Sequence, residues 1–323
     1  MNWQPRLLVT RHLPAPVERH LRSIFDACIN PQDVSLNHAQ LARAMTSYEA
    51  ICPTITDSFD AALFSTPGTR VRILANFGAG LDHIDLAAAE RAGIVVTNTP
   101  DAVTDATAEL AILLMLMAAR RAGEGERELR EGRWTGWRPT HLMGQSLAGK
   151  TLGLVGFGRI AQATAAYANS LQMRIRYFSR HRAHAATEMA LAATPAPSLE
   201  ALAAEADILS LHVPGGNETR RLVDAWLLAR MKPTAILINT SRGSVVDEGA
   251  LAEALRTGQI AAAGLDVYEQ EPKVNPTLLA CPNAVLLPHL GSSTIEARTA
   301  MGRQAAANLE AFFAGEEPPN RVV

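Results

Sequence analysis

Three residues with chemistry to offer each follow a short apolar run. Arg242 follows Ala235-Ile-Leu-Ile-Asn239, Glu271 follows Ala262-Ala-Gly-Leu265, and His289 follows Ala284-Val-Leu-Leu287. A guanidinium at the end of a buried strand needs a carboxylate partner, or else it meets an anion from outside. Its planar fork grips a carboxylate through two hydrogen bonds. A histidine exchanges protons near neutral pH, and a glutamate beside it raises its pKa and fixes the ring. Ser241 before the arginine and Gly243 after it leave the side chain uncrowded.

These runs belong to a longer rhythm. Leu7-Leu-Val9, Ala50-Ile-Cys52, Arg72-Ile-Leu74 and Ile94-Val-Val96 read as strands separated by Ala-rich helical stretches. Asp101 to Arg121 reads as one long helix, with Asp105 near its start and Arg120-Arg121 at its end, the charge order that suits a helix dipole. From Thr151 the rhythm restarts with six strands, the count of a complete dinucleotide-binding domain. Thr294 to Gly315 is again helical. The expected fold is α/β, with two flavodoxin- or Rossmann-like domains built on doubly wound parallel sheets and an active-site cleft between them. The expected boundaries are 1–99 plus 292–323 for a substrate domain and 100–291 for a dinucleotide domain. In such sheets ligands sit at the C-terminal strand ends, where Arg242, Glu271 and His289 all fall.

The clearest motif is Thr151-Leu-Gly-Leu-Val-Gly-Phe-Gly-Arg-Ile-Ala161, a G-x-G-x-x-A turn between a strand and a helix. Gly156 permits the tight turn, Gly158 lets the backbone approach a pyrophosphate, and Ala161 replaces the third glycine. The helix N-terminus then faces the anion. The next strand, Arg174-Ile-Arg-Tyr-Phe178, ends in Ser179-Arg180 with no carboxylate. An acid there would bind the ribose hydroxyls of NAD. Ser179 and Arg180 suit a 2′-phosphate instead, with Arg182 a further candidate, so NADP(H) is the preferred cofactor and NAD(H) a possible one.

The 323 residues suggest about two domains. At 48% hydrophobic and 19% charged, the chain can build full cores. A net charge of -2 gives no electrostatic case for nucleic acid or an anionic membrane. Cys28, Cys52 and Cys281 are scattered and odd in number, so they read as buried hydrophobes rather than as a disulfide framework or metal site. The N-terminal stretch 1–14 has no signal-peptide core, and the apolar run Leu110 to Ala119 is too short to span a bilayer. A cytoplasmic protein without metal is expected.

The chain resembles the D-isomer-specific 2-hydroxyacid dehydrogenases over essentially its whole length. The resemblance is carried by Gly153-Leu-Val-Gly-Phe-Gly-Arg-Ile160, Met231-Lys-Pro-Thr-Ala-Ile-Leu-Ile-Asn-Thr-Ser-Arg-Gly243, Gly264-Leu-Asp-Val-Tyr-Glu269 and Pro288-His-Leu-Gly-Ser292. It implies that Arg242 binds the substrate carboxylate and steadies the forming oxyanion, that His289 is the acid/base, and that Glu271 is its partner. It implies that Asp266 holds the nicotinamide carboxamide. It extends the cofactor contacts to Thr104, Arg159, Ile160, His212, Val213, Pro214, Thr219, Thr240, Ser241 and Gly291, and the substrate contacts to Ser292.

Asn76-Phe-Gly-Ala-Gly-Leu-Asp82 matches that family's substrate loop, whose Ala79 and Gly80 N–H groups can bind a carboxylate. Trp134-Thr-Gly-Trp-Arg138 resembles the glyoxylate/hydroxypyruvate reductase branch, where this loop lies at a dimer interface. A homodimer is therefore expected, with Trp137 a specificity residue reaching toward the partner's substrate. The implied activity is NADPH-dependent reduction of glyoxylate and hydroxypyruvate. A broad 2-oxo acid reductase, a phosphite-type dehydrogenase and a non-enzymatic NAD(H)-sensing corepressor are the alternatives.

Overall fold

A computed structural model describes residues 4–323, so the first three residues of the N-terminal stretch lie outside it. The described residues form two compact units, one running to Val103 and resuming at Ser292–Val323, the other spanning Thr104–Gly291.

The first unit carries strands β1 (Arg6–Val9), β2 (Asp26–Ile29), β3 (Ala50–Cys52), β4 (Ile73–Ala75) and β5 (Val95–Thr97). They pair in parallel in the order β2-β1-β3-β4-β5, the flavodoxin-like winding. Leu7, Val9, Ile51, Ile73 and Leu74 are fully buried, as parallel strands covered on both faces must be. β2 escapes a sequence reading because it is an edge strand with alternating exposure. Its position also corrects the reading of Cys28, whose side chain is exposed, while Cys52 and Cys281 are buried. The closing helix Ile295–Ala314 packs on Ala15–Ile24, and a Cβ on Gly302 would come within 2.5 Å of Val17. Only glycine lets these two helices approach so closely.

The second unit holds β6 (Thr151–Val155), β7 (Arg174–Phe178), β8 (Ala193–Pro195), β9 (Ile208–Leu211), β10 (Ile236–Asn239), β11 (Ala262–Leu265) and β12 (Ala284–Leu286). Their order is β12-β11-β10-β9-β6-β7-β8, all parallel, with the winding reversing between β6 and β9. That makes seven strands where six were expected. The addition, β8, is an Ala-Thr-Pro edge too short to show periodicity. The helix expected over 101–121 runs only over Thr104–Ala119, and Arg121 takes a left-handed φ of 53° that ends it. No helix among the described residues is long and apolar enough to cross a membrane.

Register decides what meets at the sheet's edge. Asn239 pairs with Leu265, and Leu265 with Leu286. The loops carrying Arg242, Asp266 and His289 therefore leave the sheet side by side. In the same way Val155 pairs with both Phe178 and Leu211, so His212, Gly156 and Ser179 follow one another in that order across the edge.

Candidate active site

The loop after β10 is built by Asn239, a fully buried side chain. Its Oδ1 accepts from the Ser241 N–H (3.0 Å) and hydroxyl (2.8 Å), and its Nδ2 donates to the Arg242 carbonyl (2.9 Å). Arg242 donates through Nη1 to the Ser241 carbonyl at 2.9 Å. The Ser241 hydroxyl proton, expected to serve the cofactor, is thus given to Asn239. Gly243 has a different purpose from the one its sequence suggested. A Cβ there would lie 1.8 Å from the Tyr268 carbonyl carbon, so the glycine exists for backbone contact between two loops.

His289 and Glu271 are brought together directly. Glu271 Oε2 lies 2.7 Å from His289 Nδ1, and Oε1 accepts the Tyr268 N–H at 3.0 Å. Burial works to raise the Glu271 pKa. The His289 hydrogen bond and charge, the Tyr268 N–H and the Arg242 charge outweigh it, and the carboxyl sits below its ordinary range. An ionised Glu271 makes Nδ1 the donor and leaves Nε2 as the nitrogen able to exchange a proton with another molecule. His289 itself has φ 55°, a left-handed conformation uncommon for a side-chain-bearing residue. Asp266 holds it there. The Asp266 carbonyl accepts the His289 N–H at 2.9 Å, and the carboxylate accepts the Leu290 (2.6 Å) and Gly291 (2.8 Å) N–H groups. Burial dominates at Asp266 and raises its pKa. Asp266, expected as a nicotinamide ligand, also clamps the histidine loop.

The turn after β6 has the geometry a phosphate needs. Gly156 adopts φ 86°, and a Cβ on it would strike the His212 carbonyl oxygen at 2.5 Å. Gly158 caps the helix Arg159–Ser170, and a Cβ there would meet nothing within 4 Å. Arg159 and Ile160 form that helix's first turn, where N–H groups have no intrahelical acceptor. Ala161 is fully buried against the sheet. Gly153, whose role the sequence left unread, sits where a Cβ would press within 2.9 Å of Ala206.

Around this turn the remaining expected contacts divide. His212 bonds through Nε2 with the Ser210 hydroxyl at 2.9 Å, and desolvation brings its pKa down to about 4, so the ring is neutral. Val213 and Pro214 continue the loop after β9. The Thr219 hydroxyl donates to the Pro214 carbonyl at 2.6 Å, so its proton pins its own turn. Arg180 pairs with Glu218 at 2.6 Å. Ser179 precedes it at the end of β7. Arg182, the further candidate for a 2′-phosphate, is paired too. It grips Glu188 through two hydrogen bonds of 3.0 and 2.9 Å, and Glu188 also accepts the Tyr177 hydroxyl at 2.5 Å. The hydroxyls of Thr104 and Thr240 are buried with no partner among the described residues. A buried unpaired hydroxyl is costly unless something from outside completes it. Together with the glycine turn and its open helix terminus, these hydroxyls fit a dinucleotide.

In the first unit the loop Gly78–Gly80 is tied by its carbonyls. Asn76 Nδ2 donates to Gly78 and Gly80 (both 3.0 Å), and Asn98 Nδ2 to Ala79 (2.9 Å). The Ala79 and Gly80 N–H groups meet no acceptor among the described residues. Two adjacent N–H groups placed so are able to donate to an anion. Asn98 gave no signal in the sequence beyond being a polar residue that closes a buried strand. Ser292 opens the C-terminal segment of this unit, its carbonyl accepting from Arg298 Nε at 3.3 Å. In the second unit, Trp137 lies in the segment between Arg130 and Thr151 and is 82% exposed.

The chain is similar to known proteins. Residues 112–291 match the family "D-isomer specific 2-hydroxyacid dehydrogenase, NAD binding domain". A glyoxylate reductase of Thermococcus litoralis is 42% identical over 99% of this chain and 97% of its own. One from Aeropyrum pernix is 44% identical, with 99% and 96% covered. Among solved structures, an NADPH-dependent glyoxylate/hydroxypyruvate reductase of Sinorhizobium meliloti, in complex with NADP and malonate, aligns with a TM-score of 0.87 at 37% identity, covering 99% of this chain and 97% of that one. With the glycine turn, the arginine and the glutamate–histidine pair in place, the chain belongs to the D-isomer specific 2-hydroxyacid dehydrogenase family and is an NAD(P)-dependent oxidoreductase.

Proposed function

We propose that the protein uses NADPH to reduce small 2-oxo acids, glyoxylate to glycolate and hydroxypyruvate to D-glycerate. The observation that carries this reading is the 2.7 Å Glu271–His289 pair, with the Arg242 charge acting on the same Glu271. Relatives named for these two substrates support the choice of acid. When bound, the nicotinamide supplies a hydride to C2 of the substrate. Arg242 grips the substrate carboxylate and faces the carbonyl oxygen as charge builds there. His289 delivers the Nε2 proton to that oxygen, and Glu271 keeps the imidazolium oriented and compensated. The reading also assigns the Ala79 and Gly80 N–H groups, and Ser292, to the substrate.

NADPH is chosen because the end of β7 offers Ser179 and Arg180 and no acid. Thr104, Thr240, the Gly156–Gly158 turn with Arg159 and Ile160, and the His212–Pro214 stretch hold the rest of the dinucleotide. The reading makes the protein a homodimer. Leu113, Leu116, Leu129, Trp134, Trp137 and Met143 expose apolar surface in one stretch of chain, as partner-binding surfaces do. Trp137 is assigned to the partner's substrate.

The test is initial rates with NADPH and NADH against glyoxylate, hydroxypyruvate, pyruvate and phenylpyruvate. Fast NADPH oxidation with the first two supports the reading. Equal rates with phenylpyruvate replace it with a broad reductase, and an NADH preference removes the role of Ser179 and Arg180.

A further inference from the structure

Two turns of the second unit face each other across the phosphate loop, and one ion pair joins them. Because the sheet runs β9-β6-β7, the turns after β9 and β7 flank the Gly156–Gly158 turn after β6. Each is pinned by its own contacts. The turn after β9 is closed by the Thr219 hydroxyl on the Pro214 carbonyl (2.6 Å) and by its N–H on Gly216 (3.2 Å). The turn after β7 is closed by the Tyr177 hydroxyl, which accepts the Ala183 N–H at 3.0 Å, and by the Arg182–Glu188 fork. From the first projects Glu218 and from the second Arg180, and they meet at 2.6 Å.

We propose that Glu218 is a positioning residue that occupies Arg180 until a 2′-phosphate takes its place, so that it tunes the preference for NADP(H) over NAD(H). The inference rests on the cofactor reading above. The pair runs through Arg180 Nη1, and a carboxylate and a phosphate that reach one guanidinium compete for its donors and its charge. A 2′-phosphorylated dinucleotide on Arg180 therefore either displaces Glu218 from Nη1 or binds with that carboxylate beside it, and in both cases a carboxylate stands near the incoming dianion. An unphosphorylated dinucleotide leaves the pair as it is. Both side chains are largely exposed, 72% and 80%, so the exchange costs what a surface pair is worth, a factor of about two to five in affinity. The third residue that could carry the phosphate, Arg182, is withheld from this exchange by Glu188.

The test is calorimetric titration of the intact protein with NADP+ and with NAD+, for the wild type, E218Q, R180Q and the double variant. E218Q is expected to bind NADP+ about two- to five-fold more tightly with NAD+ unchanged. The gain should shrink as salt rises and vanish in the R180Q background. A flat or weakened NADP+ affinity in E218Q, or an equal gain for both dinucleotides, overturns the inference while leaving the cofactor reading standing. If R180Q itself leaves NADP+ affinity unchanged, the cofactor reading fails and the inference falls with it.

Discussion

His289 holds Nδ1 2.7 Å from the Glu271 carboxylate while its backbone is bent to φ 55°. Three hydrogen bonds to Asp266 maintain the bend, one to its carbonyl and two to its carboxylate. The imidazole is thus oriented from its ring by one acid and from its backbone by another. A left-handed side-chain residue costs on the order of 1–3 kcal/mol and persists only where its surroundings over-determine it. Here Asp266 and Glu271 supply that determination, and with Nδ1 on Glu271 it is Nε2 that is left able to exchange a proton.

Replacing Arg242 by lysine keeps the charge and loses the fork. We expect kcat/KM for glyoxylate to fall by about 10²- to 10³-fold, with dinucleotide affinity little changed. Steady-state kinetics beside a cofactor titration check this. A loss confined to dinucleotide binding would place Arg242 on the wrong molecule.

Glu271→Gln removes the charge that orients the imidazolium, and kcat is expected to drop by about 10²-fold or more. It also changes acid stability in a defined sense. The Glu271 pKa is lowered in the folded protein, so its contribution is present above the unfolded value of about 4.3 and is lost as pH falls through the folded value. Urea unfolding across pH 7 to pH 3 should show the difference between wild type and E271Q narrowing as pH falls.

His212 has the opposite titration logic. Its folded pKa of about 4 lies below the unfolded value of about 6.5, so protons bind the unfolded chain first. The neutral ring costs nothing above pH 6.5, and stability is lost progressively as pH falls from there to about 4. Because the ring is only partly enclosed, the loss is put at about 2 kcal/mol. His212→Gln should flatten the stability profile across that window. An unchanged slope would assign the acid sensitivity elsewhere.

Gly243→Ala places a methyl where the Tyr268 carbonyl carbon already stands, 1.8 Å away. Backbone cannot yield as a side-chain tip can, so the loops after β10 and β11 must separate. A loss of about 3 kcal/mol or more is expected, read as a fall in thermal midpoint together with loss of activity. Gly158→Ala, whose Cβ meets nothing within 4 Å, should leave the apo protein's midpoint unchanged and weaken dinucleotide binding.

What the sequence determined by itself was the alternation of buried strands and helices, the glycine turn with its strand before and helix after, and the placement of Arg242, Glu271 and His289 in loops that follow strands. These are legible because they depend on local patterns, a run of apolar residues, a glycine at a forbidden φ, a polar residue just past a strand. The edge strands β2 and β8 were not legible, because half-exposed or very short strands carry little hydrophobic signal. Nor was the commitment of side chains to one another. Arg180 and Arg182 looked alike until Glu218 met the first through one contact and Glu188 the second through two. That the Asp266 carboxylate also clamps the loop of His289 was not legible, and Gly243 looked like mere clearance until Tyr268 lay against it. Residue types say which hydrogen bonds and ion pairs a chain is able to make. Only the register of β10, β11 and β12, which sets three loops side by side, decides which of them it does make.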